Sequence, residues 1–387
     1  MINILYLHAG SEMYGADKVL LELVSGLDKS KFHPIVILPS DGLLTDELRK
    51  NHIEVYVVNY PVLRRKYFNV KGIVNFIAKY NTAVRLILRI VKERNVSLIH
   101  VNTVAVLEGI ALKKRLHVPL LWHVHEIIRN PKIVVVFLNA LLGIFSTKIV
   151  AVSKATAINL KKSCFISDRK VDVVYNGVDN EVFNPDVKYD YLFDELDIPR
   201  NAIRVGMIGR VNSWKGQNDF ISAVEPLLES NSNLYGILVG GVFEDQEWRL
   251  NELNKRVNHM KVKKQLRIVD FRSDTPNIHN FFDVFVLPST QPDPLPTVVL
   301  ESMASCKPIV GYAHGGITEM VQDMQNGFLV QANNVNLLSV AIKKLTNNEE
   351  LRNKFGEMSL IRERSRFSIE SYIGNFTNIY INLVQKR

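Results

Sequence analysis

Two acidic residues, Asp293 and Glu301, are the first candidates for chemistry in this chain. Asp293 lies in a loop after the apolar run 284–287, and Glu301 lies about one and a half turns into a helix that Pro296 begins. A loop that leaves a parallel strand and enters a helix exposes unpaired backbone amides, which together with the helix dipole favour a phosphate. Carboxylates that flank a phosphate predict a site for a sugar nucleotide.

A glycine-bearing turn follows a predicted strand in each half of the chain. In the first turn, Gly15 allows a ligand to approach the backbone. In the second turn, Arg210 and Lys215 can neutralise a diphosphate with a planar guanidinium and a compact ammonium. Neither turn has the Gly-x-Gly-x-x-Gly dinucleotide pattern, and the chain has no Walker sequence. Each loop taken alone could equally be a sharp turn with solvated bases.

The composition predicts a globular protein with two domains of ordinary size. The chain has 387 residues, of which 47% are hydrophobic. Cys164 and Cys306 are far apart and form no metal-spaced cluster, which is typical of a reducing compartment such as the cytoplasm. Residues 1–8 do not resemble a signal peptide. The longest apolar run, 133–145, is too short to span a bilayer; we expect a core helix, with a helix at the membrane interface as the alternative.

Basic residues are in excess in the first half of the chain. The formal net charge is +9, and residues 61–115 contain many lysines and arginines but only Glu93 and Glu108 as acids. Apolar residues lie between these bases, which predicts one or two helices around 64–94 with an apolar face and a basic face. Such helices suit an anionic membrane surface. A core-packed helix with a solvated basic face is the alternative.

Short β-rich runs alternate with helical patterns along both halves. Strands are predicted in the first half at 2–8, 34–38, 54–58, 98–101, 120–124 and 149–152. A second series is predicted at 203–208, 234–239, 266–269, 284–287, 308–310 and 328–330. Helices between most neighbours predict parallel βαβ units and a doubly wound α/β sheet in each half. A polar linker at 184–202 and the restart after it argue against a single eight-stranded α/β barrel.

Several short motifs follow one another in a fixed order along the chain. They are Gly15-Ala16-Asp17, Trp122-His123-Val124-His125-Glu126, Ala151-Val152-Ser153-Lys154, Tyr175-Asn176-Gly177-Val178-Asp179, Gly209-Arg210 with Lys215-Gly216, Phe285-Val286-Leu287-Pro288-Ser289, Gly315-Gly316-Ile317-Thr318-Glu319 and Asn326-Gly327. In this order they resemble the retaining glycosyltransferases of the GT-B fold, glycosyltransferase group 1, which includes bacterial cell-surface polysaccharide, mannosyl and sucrose-forming transferases. The family's hallmark is two glutamates separated by seven residues, and Asp293 and Glu301 keep that spacing. Pro294 and Pro296 stand where many members have glycine.

His125 and Asp293 are the catalytic residues that the resemblance implies. His125 follows the fifth predicted strand, where the family places a histidine near the donor sugar and the acceptor. Without the resemblance, a hydrogen-bonded histidine at a strand end would be the simpler interpretation. His123 lies two residues earlier and is a candidate supporting partner. Asp293 would face the ring of the donor sugar.

The donor-binding residues are implied by the same resemblance. Glu301 would hold the ribose hydroxyls, and Arg210 and Lys215 would hold the diphosphate. The other members lie at the first glycine turn and at the helix start: Gly15, Pro296, Thr297 and Val298. We expect no cofactor beyond a UDP-, GDP- or dTDP-linked sugar donor. We also expect no metal, because histidines and acids lack close ligand spacing.

The resemblance further implies two Rossmann-like domains that face each other across a cleft. Residues 1–183 would bind the acceptor, residues 203–365 would bind the nucleotide sugar, and residues 366–387 would form a helix that packs back on the first domain. The implied reaction transfers a hexosyl or deoxyhexosyl group to a hydroxyl of a lipid-linked saccharide, with retention of configuration, in capsule, O-antigen or cell-wall glycan synthesis. The enzyme would be cytoplasmic and peripheral at the inner face of the cell membrane.

Three other classes of protein share parts of this pattern. A nucleic-acid-binding protein would explain the charge, but no RNA or DNA motif occurs. A glycoside hydrolase needs opposed carboxyl groups, which two acids beside a phosphate-type loop do not suggest. The nearest alternative is a GT-B-like sugar-nucleotide epimerase, which would share the nucleotide site but would need no acceptor.

Overall fold

A computed structural model describes residues 1–243 and 245–385 of the chain, apart from the side chain of Arg65. The end of the predicted C-terminal helix, residues 386 and 387, therefore lies outside the described residues, as does the Arg65 side chain of the predicted basic region. The chain divides into two units. Unit 1 contains residues 1–177 and the chain from Ile369 onwards, and unit 2 contains residues 178–368.

Unit 1 is built on a parallel sheet with helices on both faces. Its strands are β1 (Ile2–Leu7), β2 (Phe32–Leu38), β3 (Glu54–Val57), β4 (Val96–Val101), β5 (Leu120–Val124), β6 (Lys148–Ala151) and β7 (Val171–Val173). Its first helices are α1 (Gly15–Gly26), α2 (Leu43–Lys50), α3 (Val70–Val91), α4 (Glu108–Leu116), α5 (Lys132–Phe145) and α6 (Lys154–Lys161), with single 3-10 turns at Arg65–Tyr67 and Asp168–Lys170. The strand order is β3-β2-β1-β4-β5-β6-β7, and all neighbours run parallel.

Strand β1 shows why this sheet is buried on both faces. Ile4 and Tyr6 point into one apolar core, which α1 and α2 cover. Leu5 and Leu7 point into the other core, to which α3, α4, α5 and α6 contribute. Because successive side chains of a strand alternate between faces, a strand covered on both sides is apolar along its buried part, as β1 is from Ile4 to Leu7.

Helix α5 corrects the prediction of a core helix over 133–145. Its inner face, which includes Leu138 and Leu142, is buried, but Ile133 is 79% exposed and Ile144 is 62% exposed. A continuous apolar run has no periodicity that separates an inner face from an outer face, so the sequence could not reveal the exposed side. In the described part of the chain, no helix is both long enough and apolar enough to cross a membrane.

Helix α3 is one continuous helix of 22 residues in the predicted basic region. Its C-terminal half packs on the core through Ala83, Val84 and Ile87, whereas Val70 and Val74 in its first turns are 80% and 64% exposed. The apolar part of α3 is therefore longer than the part that the core buries.

Unit 2 repeats the architecture with a second parallel sheet. Its strands are β8 (Ile203–Ile208), β9 (Leu234–Val239), β10 (Leu266–Val269), β11 (Val284–Leu287), β12 (Ile309–Tyr312) and β13 (Gly327–Val330), in the order β10-β9-β8-β11-β12-β13. Its helices are α7 (Tyr191–Glu195), α8 (Gln217–Ser230), α9 (Glu247–Asn258), α10 (Thr275–Phe281), α11 (Thr297–Ala304), α12 (Ile317–Met320), α13 (Val335–Thr346) and α14 (Glu349–Arg366), with a 3-10 turn at Lys263–Gln265.

The predicted linker, 184–202, lies within unit 2 in the structure. The Asn280 side-chain amide donates to the backbone carbonyls of Asn184 and Val187 at 2.8 and 2.9 Å. Phe193 of α7 packs edge-on against Phe281, with ring centroids 5.1 Å apart. This polar segment is ordered because its carbonyls accept hydrogen bonds from a buried amide and its few apolar residues pack in a core.

The final helix, α15 (Ile369–Gln385), belongs to unit 1. Tyr372, Phe376 and Tyr380 are buried in the core that β1 shares with α1. The Tyr380 hydroxyl lies 2.7 Å from Nδ1 of His100 and 3.1 Å from the Tyr6 hydroxyl. The helix therefore completes one face of the unit 1 sheet rather than lying on its surface.

Candidate active site

The loops that follow β8 and β11 leave neighbouring strands at the centre of the unit 2 sheet. The two strands pair directly, and the strand order runs outward from them in both directions. The Thr290 amide donates to the Trp214 carbonyl at 2.7 Å, which holds the two loops together. Open parallel sheets bind ligands outside the carboxyl ends of strands at such a switch point. This edge is therefore the expected ligand site of unit 2.

Gly216 allows these two loops to touch. Its φ of +85° lies in the left-handed region, and a Cβ at this position would lie 1.8 Å from the Pro288 carbonyl oxygen. The close approach brings the preceding residue, Lys215, to Asp293, and the two side chains form an ion pair. Because Lys215 and Asp293 are only 15% and 10% exposed at their side chains, solvent and salt screen this pair weakly.

A second glycine pair supports the Asp293 backbone. The Gly316 amide donates to the Asp293 carbonyl at 2.7 Å. Gly315 has a φ of +72°, and a Cβ there would lie 2.5 Å from the same carbonyl oxygen. The Ser289 hydroxyl lies 3.4 Å from Oδ2 of Asp293 and can donate to it. The Gly315-Gly316 motif thus places the acidic loop rather than contributing side-chain chemistry.

Helix α11 begins one residue after the predicted start: Pro296 is its N-cap rather than its first residue, which is Thr297. The first amides of a helix, here those of Thr297 and Val298, have no acceptor within the helix and point out from its N-terminus. Glu301 lies further along α11 and is 4% exposed. Its Oε2 atom is 3.1 Å from Nε2 of His279, so this carboxylate is held by a partner from α10.

Arg210 is placed by an aromatic ring that the sequence reasoning missed. Its guanidinium carbon lies 3.6 Å from the centroid of the Phe243 ring, a cation–π arrangement. The Gln217 side-chain amide donates to the Arg210 carbonyl at 3.0 Å and holds its backbone. Phe243 follows the Gly240-Gly241 pair at the end of β9, and this glycine pair before an aromatic residue was the available signal.

The predicted residues of unit 2 therefore form two contacts that sequence spacing could not specify. Asp293 pairs with Lys215, and Glu301 contacts His279. The anion beside both acids stays a prediction. The structure shows that each carboxylate has a positively charged or proton-donating partner within unit 2.

In unit 1, a histidine cluster lies at the corresponding switch point, where β1 and β4 are neighbours. Asn102 follows β4 and is fully buried. Its Oδ1 lies 3.0 Å from Nδ1 of His123 and 3.1 Å from Nε2 of His125, and its Nδ2 lies 3.1 Å from Nδ1 of His8. His8 in turn contacts Asp17 through Nε2 at 2.6 Å.

The Ala16 carbonyl determines which way the Asn102 amide points. This carbonyl can only accept a hydrogen bond, so the amide atom 3.3 Å from it is Nδ2, the donor. Oδ1 of Asn102 then faces His123 Nδ1 and His125 Nε2 as an acceptor, and these two ring nitrogens lie 3.2 Å from each other. The asparagine and the two histidines thus form one hydrogen-bonded cluster. Asn102 was not a candidate in the sequence, because a lone asparagine after a strand has no distinguishing pattern.

Burial keeps these histidines neutral. It lowers the pKa of His125 to about 3, and the neighbouring His8 adds to the effect. Burial also lowers the pKa values of His100 and His123 well below the usual range, with repulsion from His125 as the next cause. Beside them, burial raises the pKa of Glu126, which accepts from the His125 amide at 3.0 Å. His125 can therefore accept a hydrogen bond at neutral pH, but it is not an imidazolium.

Gly15 begins α1, and Tyr14 is the N-cap. Asp17, in the first turn, accepts from the Tyr14 amide through Oδ2 at 2.8 Å and from His8 through Oδ1. The Gly15-Ala16-Asp17 motif is thereby tied to the histidine cluster. The role of Gly15 in donor binding stays a prediction.

Over residues 1–243 and 245–385, no group of three or more His, Cys, Asp or Glu side chains is arranged to hold a metal ion.

The two parallel-sheet units have the GT-B fold, which solved structures share. HepE from Anabaena in complex with UDP-glucose superimposes with a TM-score of 0.85, at 22% identity, over 99% of this chain and 100% of that chain. WaaG, a glycosyltransferase involved in lipopolysaccharide biosynthesis, has a TM-score of 0.73 at 14% identity over 97% of this chain and 99% of that chain.

The chain contains a glycosyltransferase group 1 domain and a glycosyltransferase family 4 domain. Residues 190–360 match the family described as glycosyl transferases group 1, and residues 13–182 match glycosyltransferase family 4. A relative from Escherichia coli, the UDP-Gal:alpha-D-GlcNAc-diphosphoundecaprenol alpha-1,3-galactosyltransferase, is 25% identical over 96% of this chain and 94% of its own length. The capsular polysaccharide biosynthesis glycosyltransferase CapM of Staphylococcus aureus is 23% identical over 63% of this chain and 64% of its own length. The protein is thus a glycosyltransferase, and the predicted family and fold are confirmed.

The neutral state of His125 gives a testable dependence of stability on pH. Its folded-state pKa of about 3 lies below that of an unfolded histidine, so acid protonates the unfolded chain first. Stability is therefore lost as pH falls below about 6.5, by roughly 1.4 kcal/mol per pH unit for one group. Urea denaturation at several pH values measures the free energy of unfolding of the wild type and of His125→Asn. As the pH is lowered below about 6.5, the value for the wild type should fall relative to that for His125→Asn by this slope. Equal slopes for His125→Asn and the wild type would contradict the assignment.

Proposed function

We propose that this protein is a retaining, metal-independent glycosyltransferase that moves a hexosyl or deoxyhexosyl group onto a hydroxyl of a lipid-linked saccharide in cell-surface polysaccharide synthesis. The observation that carries the proposal is the Lys215–Asp293 ion pair at the unit 2 switch point, formed by the loop that leads into α11. It combines a cation for a diphosphate, an acid for a sugar and a helix N-terminus in one loop cluster.

The proposed donor site assigns a role to each of these groups. Arg210, Lys215 and the amides of Thr297 and Val298 take the diphosphate, with Pro296 and Gly15 at the helix starts beside the donor. Glu301 takes the ribose hydroxyls. UDP is the first base to test, because the relatives named above use UDP-galactose or bind UDP-glucose; GDP and dTDP remain candidates.

The proposed mechanism rests on fixed charges rather than on an attacking side chain. As the bond from the sugar to the diphosphate breaks, negative charge grows on the leaving phosphate, where Arg210 and Lys215 lie. Positive charge grows on the sugar, which Asp293 faces. Charges held in a weakly screened site stabilise such a transition state without reorganising. The acceptor oxygen bonds to the anomeric carbon and gives its proton to the leaving phosphate, and the neutral His125 imidazole accepts a hydrogen bond from a sugar hydroxyl.

We further propose that α3 binds an anionic membrane surface at the inner face of the cell membrane. Val70, Ile73, Val74 and Ile77 are 80%, 50%, 64% and 53% exposed, and their spacing of three and four residues puts them on one side of the helix. The exposed bases of the same helix are Lys71, Lys79, Arg85 and Arg89. An apolar stripe with bases beside it favours insertion among acidic headgroups. The lipid-linked acceptor named for the Escherichia coli relative supports this location.

The reaction itself is tested with a panel of donors. At a concentration about a hundred times its dissociation constant, the correct nucleotide sugar should stabilise the protein by ~2.7 kcal/mol in thermal unfolding. With that donor and a GlcNAc-diphospho-lipid acceptor, NMR should show a product with the donor's anomeric configuration, and a strong chelator should leave the rate unchanged. A product with inverted anomeric configuration would refute retention. Activity that is lost with the chelator and restored only by magnesium or manganese would refute metal independence. Conversion of the donor in the absence of any acceptor would instead indicate an epimerase.

Substitutions of Asp293 and Glu301 should change different kinetic constants. Asp293→Asn should lower kcat more than it raises the donor KM, because the charge matters most in the transition state. Glu301→Gln should raise the donor KM more than it lowers kcat, because an amide can rearrange only part of the hydrogen bonding to the ribose. Asp197→Asn, at a fully exposed position of unit 2, is the control. If Asp293→Asn leaves kcat within about threefold, ~0.7 kcal/mol of barrier, Asp293 has no catalytic role.

Membrane binding is tested by sedimentation with vesicles of phosphatidylcholine, with and without phosphatidylglycerol. The wild type should bind only the anionic vesicles. Replacing both Val74 and Ile77 by serine should weaken this binding by about tenfold or more, because each buried aliphatic side chain contributes roughly 1.5–3 kcal/mol. The control is Ile361→Ser, which removes a similarly exposed isoleucine, 59% exposed, from unit 2. Equal binding by all three proteins would show that α3 is only a solvated helix.

A further inference from the structure

Glu301 has a neighbour whose role the proposed function leaves unexplained. His279 of α10 is fully buried and contacts two consecutive side chains of α11. Its Nε2 lies 3.1 Å from Oε2 of Glu301, and its Nδ1 lies 2.7 Å from the Ser302 hydroxyl. We propose that His279 is a positioning residue that orients the Glu301 carboxylate for the ribose and thereby sets the preference of the donor site for a ribonucleotide. This inference rests on the proposed donor site.

A neutral His279 satisfies both of its contacts in one tautomer. A carboxylate can only accept, so the Nε2 atom that faces the Glu301 carboxylate carries a proton. In a neutral imidazole, Nδ1 is then an acceptor, and the Ser302 hydroxyl is positioned to donate to it. The Glu301 contact therefore fixes the tautomer of His279, and the Ser302 hydroxyl holds the ring through Nδ1.

The packing around His279 prevents its ring from turning. The rings of Phe183, Phe282 and Phe285 lie with their centroids 5.9, 6.4 and 5.5 Å from that of the imidazole. On the other side of the contact, Glu301 lies inside α11, so the helix fixes its backbone. Both ends of the His279–Glu301 bond are thus anchored, one by aromatic packing and one by the helix.

A carboxylate that is oriented before the ligand arrives binds more tightly than one that must be ordered on binding. Two adjacent hydroxyls of a ribose are donors that a fixed carboxylate can accept together, and each hydrogen bond to a charged group is worth enough to be measured. A mobile carboxylate at the same position would still attract a hydroxyl, but it would lose most of this gain. The loss should appear only with ligands that carry the ribose hydroxyls.

The test compares the binding of UDP with that of 2′,3′-dideoxy-UDP by titration calorimetry. The wild type should bind UDP at least about tenfold more tightly than the dideoxy analogue, as expected for hydrogen bonds to a charged group. His279→Phe, which keeps the ring and removes the donor, should weaken UDP binding until the ratio is about threefold or less. The same variant should bind the dideoxy analogue within about twofold of the wild type. In steady-state kinetics, His279→Phe should raise the donor KM and leave kcat within about twofold.

Two further variants separate positioning from general stability. His279→Gln keeps an N–H donor for Glu301 and should retain most of the ribose preference, even if His279→Phe does not fold. Ser302→Ala should lower the preference partly, because the imidazole of His279 then loses the hydrogen bond at Nδ1 that holds the ring. Ser305→Ala is the matched control: this buried serine at the C-cap of α11 contacts the backbone carbonyl of Glu301, and its loss should leave the ratio unchanged.

The outcomes distinguish this inference from the proposed function. If UDP, GDP, ADP and dTDP all fail to bind the wild type, the donor site itself is wrong and the inference falls with it. If the wild type binds UDP without preferring it to the dideoxy analogue, or if His279→Phe keeps the wild-type ratio, His279 does not act through Glu301 while the glycosyltransferase assignment stands.

Discussion

Parallel strand pairing with a reversal of strand order is the constraint on which both units of this protein depend. Where the order reverses, two loops leave adjacent strands side by side and no crossover covers them. In unit 2 these loops carry Lys215 and Asp293, which are 78 residues apart in the chain. In unit 1 the loops at the reversal carry His8 and Asn102. The chemistry of each unit is thus located by backbone topology, and the side chains only specify what that chemistry is.

Charged and polar groups at these sites are buried, and each has a specific partner. Lys215 pairs with Asp293, and His8 contacts Asp17. Removing such groups from water is costly, so an unmatched member would destabilise the native state. The same arrangement gives a fixed electrostatic environment, because dipoles and charges that are already oriented need not reorganise during a reaction. The stability of the protein and the preparation of the sites therefore depend on the same contacts.

Sequence reasoning succeeded where the information is local and failed where it depends on tertiary contacts. The strands were found because apolar runs with turn residues at their ends are local patterns, and the bounds of β5, β8 and β9 agree with the prediction. The loop with Lys215 and the start of α11 at Thr297 also follow from local signals. The partners His279 and Asn102 were missed because neither has a distinctive neighbourhood in the sequence.

Helix α15 has a consequence for the order in which the protein is built. It supplies Tyr372, Phe376 and Tyr380 to a core whose other members, such as Tyr6, come from the beginning of the chain. Translation proceeds from the N-terminus, and domains generally fold as units as they emerge. Unit 2 is continuous from 178 to 368, so all of its residues leave the ribosome before α15 does. The unit that is synthesised first is therefore completed after unit 2, and the part of its apolar core that packs on α15 stays uncovered until α15 leaves the ribosome.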